Sequence, residues 1–153
     1  MNYREYKDAR QEAFNEVPMF FAFSNEQFNK AMQERGYTDE SKIVRVPNGG
    51  FIHKDELPKL KAWIDGDNLD ELMKDPDFAE DAFYYEMGNH EYHINNYQGN
   101  WDVISCFANV EYCDNDYDVN EYFKQVDWSD ETKNAYMKAR SRFLQDASDN
   151  DWY

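Results

Sequence analysis

The sequence predicts an α+β fold, a small antiparallel sheet packed with several amphipathic helices in a single domain. Three observations point there. Apolar residues recur at helical spacing in several separate segments, and two short runs of strand formers flank Pro47-Asn48-Gly49-Gly50, a stretch with hairpin-turn chemistry. The length of 153 residues, without a fixed-period repeat or a low-complexity linker, fits one ordinary domain.

Taken in order, Tyr3, Tyr6, Ala13, Phe14 and Val17 give a first helix over residues 3–16, stopped before Pro18. The apolar run Met19 to Phe23 reads as a strand that feeds a helix opened by the capping box Ser24-Asn25-Glu26-Gln27 and closed at Gly36. Ile43 to Val46 and Phe51 to His53 are the arms of the hairpin. Asp55 is placed to cap a helix carrying Leu60, Trp63 and Ile64, which Gly66 ends, and residues 68–74 add a short helix. Asp75-Pro76 supplies an N-cap and a proline at the first helical position of a helix through about Asn89. Gln98-Gly99-Asn100 is a turn, and Trp101 to Tyr112, rich in strand formers, predicts one longer strand. Residues 118–126 form a short helix, Ser129 caps a last one bearing Tyr136, Ala139, Phe143 and Ala147, and residues 146–153 are expected to fray.

Aromatic residues make up 18% of the chain, so the core is expected to consist of Phe, Tyr and Trp more than of aliphatic layers. The first ten residues have no apolar signal region and no window approaches a membrane span, so neither secretion nor membrane insertion is expected. Cys106 and Cys113 show no disulfide spacing, which fits a reduced cytoplasmic compartment.

The charge is unevenly placed. Residues 1–64 hold 10 acids and 10 bases, residues 65–131 hold 19 acids and 2 bases, and residues 132–153 hold 3 acids and 4 bases, which together give −16. Such density costs stability through self-repulsion, and solubility alone does not explain why the flanks stay balanced. A helical projection from Pro76 puts Asp77, Glu80, Asp81 and Glu91 on one side, away from Phe78, Ala82 and Tyr85. Asp65, Asp67, Asp70, Glu71 and Asp75 precede this stripe, and Glu111, Asp114, Asp116, Asp118 and Glu121 flank it if the fold brings them together. Carboxylates four residues apart on a helix lie about 6 Å apart along the axis, of the order of phosphate spacing, so a partner-binding acidic surface that mimics a nucleic-acid strand is physically possible. Tyr84, Tyr85 and Tyr117 are candidate uncharged anchors beside it. The bland alternative is a solvated face, which normally mixes signs, whereas Lys74 and Lys124 are the only bases in the segment.

Other constellations carry less. Asp114, Asp116, Asp118 and Asn120 sit at alternate positions of a calcium loop, but Val119 and Gln125 occupy the glycine and bidentate-acid positions, which excludes an EF-hand. Glu86, His90 and His93 share one side of the projected helix, yet the two imidazoles are i, i+3 and not the HExxH spacing, so a Glu86 to His90 pair is the simpler reading and no metal is assigned. No nucleophile elbow or phosphate-cradling glycine loop is present, and the cysteines read as buried structural thiols, with Cys106 inside the predicted strand. No catalytic residue and no cofactor are expected. The bases of the last helix, Lys133, Lys138, Arg140 and Arg142, are too few for direct nucleic-acid binding.

The acidic, Tyr- and Asn-rich composition, with Met19-Phe20-Phe21-Ala22-Phe23-Ser24-Asn25-Glu26-Gln27-Phe28, resembles small proteins carried by phages and mobile elements of Gram-positive bacteria. The same aromatic run into a capped helix, and Cys113-Asp114-Asn115-Asp116-Tyr117-Asp118-Val119, resemble ArdA-type antirestriction proteins, whereas the hairpin and the His90 to Trp101 region depart from that family. No functional residue is therefore carried over. The resemblance implies an anti-defence protein, an anti-CRISPR or antirestriction DNA mimic. It would occupy the basic nucleic-acid channel of a CRISPR or restriction nuclease in the host cytoplasm. The alternatives are an adaptor using an aromatic surface, and an enzyme built on Glu86, His90 and His93.

Overall fold

The computed structural model describes residues 1–90 and 99–152. It has the α+β architecture that the sequence predicts. Within the single domain read from the sequence, two compact units are distinguished, a smaller one over Asp8–Asp67 and a larger one formed by Met1–Lys7 with Asn68–Tyr153.

Helix α1 (Tyr3–Asn15) gives its first residues to the larger unit and the rest to the smaller. In the smaller unit follow β1 (Met19–Phe21), α2 (Asn25–Glu34), β2 (Ile43–Val46), β3 (Gly50–His53) and α3 (Leu57–Asp65). The sheet is antiparallel throughout in the order β1-β3-β2, with Phe20 opposite Phe51 and Val44 opposite Ile52. Asn48 (φ 64°) and Gly49 (φ 79°) turn the hairpin, and a side chain at Gly49 would run into the Phe23 ring. The rings of Phe20, Phe28 and Phe51 pack together, with the Arg35 guanidinium over Phe20. Ser24 caps α2 through the Gln27 amide as the sequence predicts, while the Gln27 side chain reaches one residue beyond the N-cap and accepts from the Phe23 amide. Asp55 is not the next cap. A short 3-10 turn over Lys54–Glu56 intervenes, its Asp55 amide donating to His53 Nδ1.

The larger unit is helical: α4 (Leu69–Leu72), α5 (Pro76–Asn89), α6 (Asn100–Ile104), α7 (Val119–Phe123) and α8 (Asp130–Asp149). Its core is aromatic, as composition predicts, with Phe83, Tyr122 and Tyr136 fully buried and the Phe83 ring 5.1 Å from Tyr136 and 5.3 Å from Trp128. Helix α5 lies against α8. Asp75, Asp118 and Ser129 cap their helices through side-chain oxygens.

Two expectations are corrected here. The strand predicted over Trp101 to Tyr112 is helix α6 followed by irregular chain. A buried aspartate overrides the strand propensity. Asp116, only 6% exposed, accepts from the amides of Gly99 (2.6 Å) and Trp101 (2.9 Å) and from the Tyr122 hydroxyl (2.6 Å). These amides open α6, and Gly99, its N-cap, adopts φ 106°, which an L side chain resists. Asn100, fully buried, donates to the Asp116 carbonyl and accepts from Tyr136. The second correction concerns the tail. Helix α8 runs to Asp149 because Ala147 is fully buried on it and Trp152 packs on Phe143 with ring centres 5.5 Å apart.

Asp114 and Asp116 are indistinguishable by charge pattern, yet their substitutions separate. Asp116→Ala strands three donors and is expected to cost about 3–5 kcal/mol in urea unfolding. Asp114→Ala, at an exposed position, is expected to stay within about 0.5 kcal/mol.

Candidate functional site

The predicted acidic surface is sorted by the fold into distinct kinds. Asp65 and Asp67 are exposed at the end of the smaller unit, with Asp65 paired to Lys61 at 2.6 Å. In the larger unit Asp70, Glu71, Asp75, Asp77 and Asp114 are exposed. Glu80 reaches Arg142 at 3.6 Å, Asp81 accepts from the Tyr3 amide at 3.0 Å, and Glu121 pairs with Lys124 at 2.9 Å. Asp118, half-buried, caps α7, and Asp116 is interior and so is no part of a surface. Glu91 and His93 lie outside the described residues. Of the aromatic anchors, Tyr117 is exposed, whereas Tyr84 and Tyr85 are structural. Tyr84 lies under Arg142, 4.0 Å from ring centre to guanidinium, and donates to Asp146, and Tyr85 packs on Tyr3 beneath Lys7. Tyr84 and Tyr85 are thus half-buried and engaged within the larger unit.

The acids that do converge include two that the stripe omits. An open groove of about 980 Å³ in the larger unit has a floor that includes Met73, Phe107, Val126 and Trp128, and a rim of Asp70, Glu71, Asp127 and Glu131. Among the described residues Lys74 is the one base on this rim, held by Glu71 at 2.9 Å, which leaves four acids against one base. Asp127 and Glu131 reach the groove through the turn into α8, a long-range placement that no sequence periodicity signals.

A second constellation gathers on the other chemistry. Glu86, 2% exposed on α5, accepts through Oε1 from the Tyr3 hydroxyl (2.8 Å) and Lys7 Nζ (3.0 Å). Its Oε2 faces Asn89 Nδ2 (3.2 Å), His90 Nε2 (3.1 Å) and the Cys106 sulfur (3.6 Å). The expected Glu86 to His90 pair is present. Cys106 corrects the expectation of a buried strand thiol. It follows α6, is exposed as a residue, and brings its sulfur within 3.2 Å of His90 Nε2 and of the Asp102 carbonyl oxygen. Partial burial, then the Glu86 charge, push the Cys106 thiol up to about 12. Burial alone would raise the Glu86 carboxyl, but hydrogen bonds from Tyr3, Lys7 and Asn89, with the Lys7 charge, hold it below the usual carboxylate value. Burial, then the hydrogen bond to Glu86, raise the Tyr3 hydroxyl.

These contacts argue against nucleophilic catalysis at Cys106. The thiol is shifted away from thiolate, and Glu86 meets the same imidazole nitrogen as the sulfur, so it does not orient the ring through the opposite nitrogen as a triad acid does. Among the described residues, Glu86, His90 and Cys106 form the one group of three metal-ligating atoms within 4.8 Å of one another. No helix among the described residues is long and apolar enough to cross a membrane.

Fold and sites together define an acid-rich α+β protein with an aromatic core. The chain belongs to a family of unknown function, DUF7659, whose model matches residues 2–128. No curated protein and no solved structure matches the chain.

Because the folded Glu86 carboxyl lies below its unfolded value, its contribution to stability is present above the ordinary carboxylate range and is lost as pH falls through the folded value. Glu86→Gln keeps an acceptor for Tyr3 but removes the titration. Urea unfolding from pH 7 down to about pH 3 is expected to show a shallower acid-side loss of stability in this variant than in the parent chain.

Proposed function

We propose that the protein acts by binding, capturing a basic, nucleic-acid-binding surface of another protein in the bacterial cytoplasm. The observation that carries this reading is the groove: an apolar floor ringed by Asp70, Glu71, Asp127 and Glu131 with a single, already paired lysine. Lys and Arg side chains match it, their alkyl stems against Phe107 and Trp128 and their charged heads at the rim. The larger unit holds 21 acids and 8 bases, a net charge of −13 out of −16, so it also steers a cationic partner over longer distance. Surfaces that bind nucleic acid present the cations this site lacks, which supports competition with DNA or RNA as the mode of action. The resemblance to antirestriction proteins directs the reading further, to the nucleic-acid channel of a CRISPR or restriction nuclease.

A second reading, an adaptor docking through an aromatic surface, is favoured by Phe21 (50% exposed) and Phe23 (78% exposed) in the smaller unit. Phe23 lines an open groove of about 890 Å³ with Phe28, Pro47 and Phe51.

The test is competitive binding to a panel of CRISPR and restriction nucleases, with the variant Asp70→Lys, Asp127→Lys, Glu131→Lys beside the parent chain. The rim reading expects binding that weakens with salt and with added DNA, and a loss of about 100-fold in the triple variant with circular dichroism unchanged. Binding that persists at about 0.5 M salt, is indifferent to the triple reversal and falls with Phe23→Ser would replace it with the adaptor reading. Reversal at Glu80 and Asp81 is a poorer probe, because those carboxylates hold Arg142 and the Tyr3 amide.

A further inference from the structure

We infer that Glu86, His90 and Cys106 form a transition-metal site, with zinc(II) the cation that the ligand set fits. The inference uses none of the groove residues and does not depend on the binding reading above. Its basis is the triangle made by three donor atoms: Glu86 Oε2 to His90 Nε2 at 3.1 Å, His90 Nε2 to Cys106 Sγ at 3.2 Å, and Cys106 Sγ to Glu86 Oε2 at 3.6 Å. A tetrahedral zinc ion with Zn–S of about 2.3 Å and Zn–N and Zn–O of about 2.0 Å separates such donors by about 3.3–3.6 Å. The three atoms therefore already outline one face of a tetrahedron, to within a few tenths of an ångström.

Two further features support a metal over a plain hydrogen-bond cluster. First, sulfur and carboxylate converge on the same imidazole nitrogen. A single N–H or a single lone pair satisfies one neighbour well, whereas a cation serves all three at once. Second, the supporting contacts fall on the correct oxygen. Tyr3 and Lys7 occupy Oε1 of Glu86 and fix the carboxylate plane, so that Oε2, which also accepts from Asn89, is presented towards the other two donors. Soft thiolate with imidazole favours zinc over calcium or magnesium, which take oxygen donors. On binding, the thiol proton leaves to solvent and a sulfur–metal bond forms, and the cation supplies the compensating charge. His90 and Cys106 are exposed, which leaves a fourth position for water on the solvent side. The strand predicted over Trp101 to Tyr112 would have hidden this site, because only the turn after α6 carries Cys106 back to α5.

Cobalt(II) is the probe, since a thiolate ligand gives a near-ultraviolet charge-transfer band and tetrahedral geometry gives intense visible bands. The chelator-treated full chain is expected to bind one cobalt per molecule with both signatures, and zinc is expected to displace it. Cys106→Ser should abolish the charge-transfer band, His90→Ala should weaken binding at least about 100-fold, and Tyr3→Phe should weaken it about tenfold through the lost support of Glu86. Cys113→Ser should leave the spectrum unchanged. Circular dichroism of each apo variant separates loss of ligand from loss of fold, and both ligand substitutions fall at exposed positions. Absence of the bands would overturn the inference. So would stoichiometric binding that survives in both Cys106→Ser and His90→Ala, which would place the cation on surface carboxylates.

Discussion

A carboxylate buried among its own donors holds the larger unit together. Glu86 takes a hydroxyl and an ammonium from the first residues of the chain on one oxygen, and an amide from α5 with the His90 and Cys106 contacts on the other. Burial of an unpaired carboxylate would cost several kcal/mol, and these donors together offset that cost. Their arrangement anchors the start of α1, orients His90 at the end of α5, and fixes where the turn after α6 meets them. Asp116 does the same for the chain on the far side of α6, setting its first turn and the position of Tyr122.

The two interior acids change how the excess charge is understood. A chain with 32 acids and 16 bases has few cations to spend on internal pairing. It satisfies Asp116 with amides and a hydroxyl, and Glu86 with a single lysine plus neutral donors. The bases of α8 are drawn into local contacts as well, Arg142 with Glu80 and Tyr84, and Lys133 over the Phe123 ring. At the groove, α4, the turn into α8 and the start of α8 contribute four carboxylates, with Lys74 held by Glu71 beside them.

Local signals carried most of the architecture. Ser24, Asp75, Asp118 and Ser129 cap the helices that the sequence predicts for them, and Asn48-Gly49 turns the hairpin. These features depend on neighbours within four residues, so spacing alone exposes them. The Asp55 cap was lost to a local 3-10 turn, but the larger errors involve contacts across long stretches of chain. Trp101 to Tyr112 has strand-forming residues, but Asp116 claims its first amides from fifteen and seventeen residues away. Asp81 falls on the charged side of the helical projection and Tyr84 is an anchor candidate, yet Asp81 is held by the Tyr3 amide and Tyr84 donates to Asp146. The groove acids Asp127 and Glu131, and Cys106 beside His90, needed the same knowledge. Glu86 and His90 were legible because both stand on one helix, four residues apart.

The smaller unit holds one tryptophan, and its surroundings are unusual. Trp63 stacks under the Arg10 guanidinium, 4.3 Å from ring centre to cation, next to Phe14, while its indole N–H donates to the Arg10 carbonyl and Arg10 donates to the Trp63 carbonyl. The other three, Trp101, Trp128 and Trp152, all belong to the larger unit. Intrinsic fluorescence thus contains two separable optical channels, one per unit. With excitation selective for tryptophan, a single Trp63→Phe replacement leaves only the larger unit emitting, and the difference spectrum shows whether the two units melt as one cooperative block or in succession.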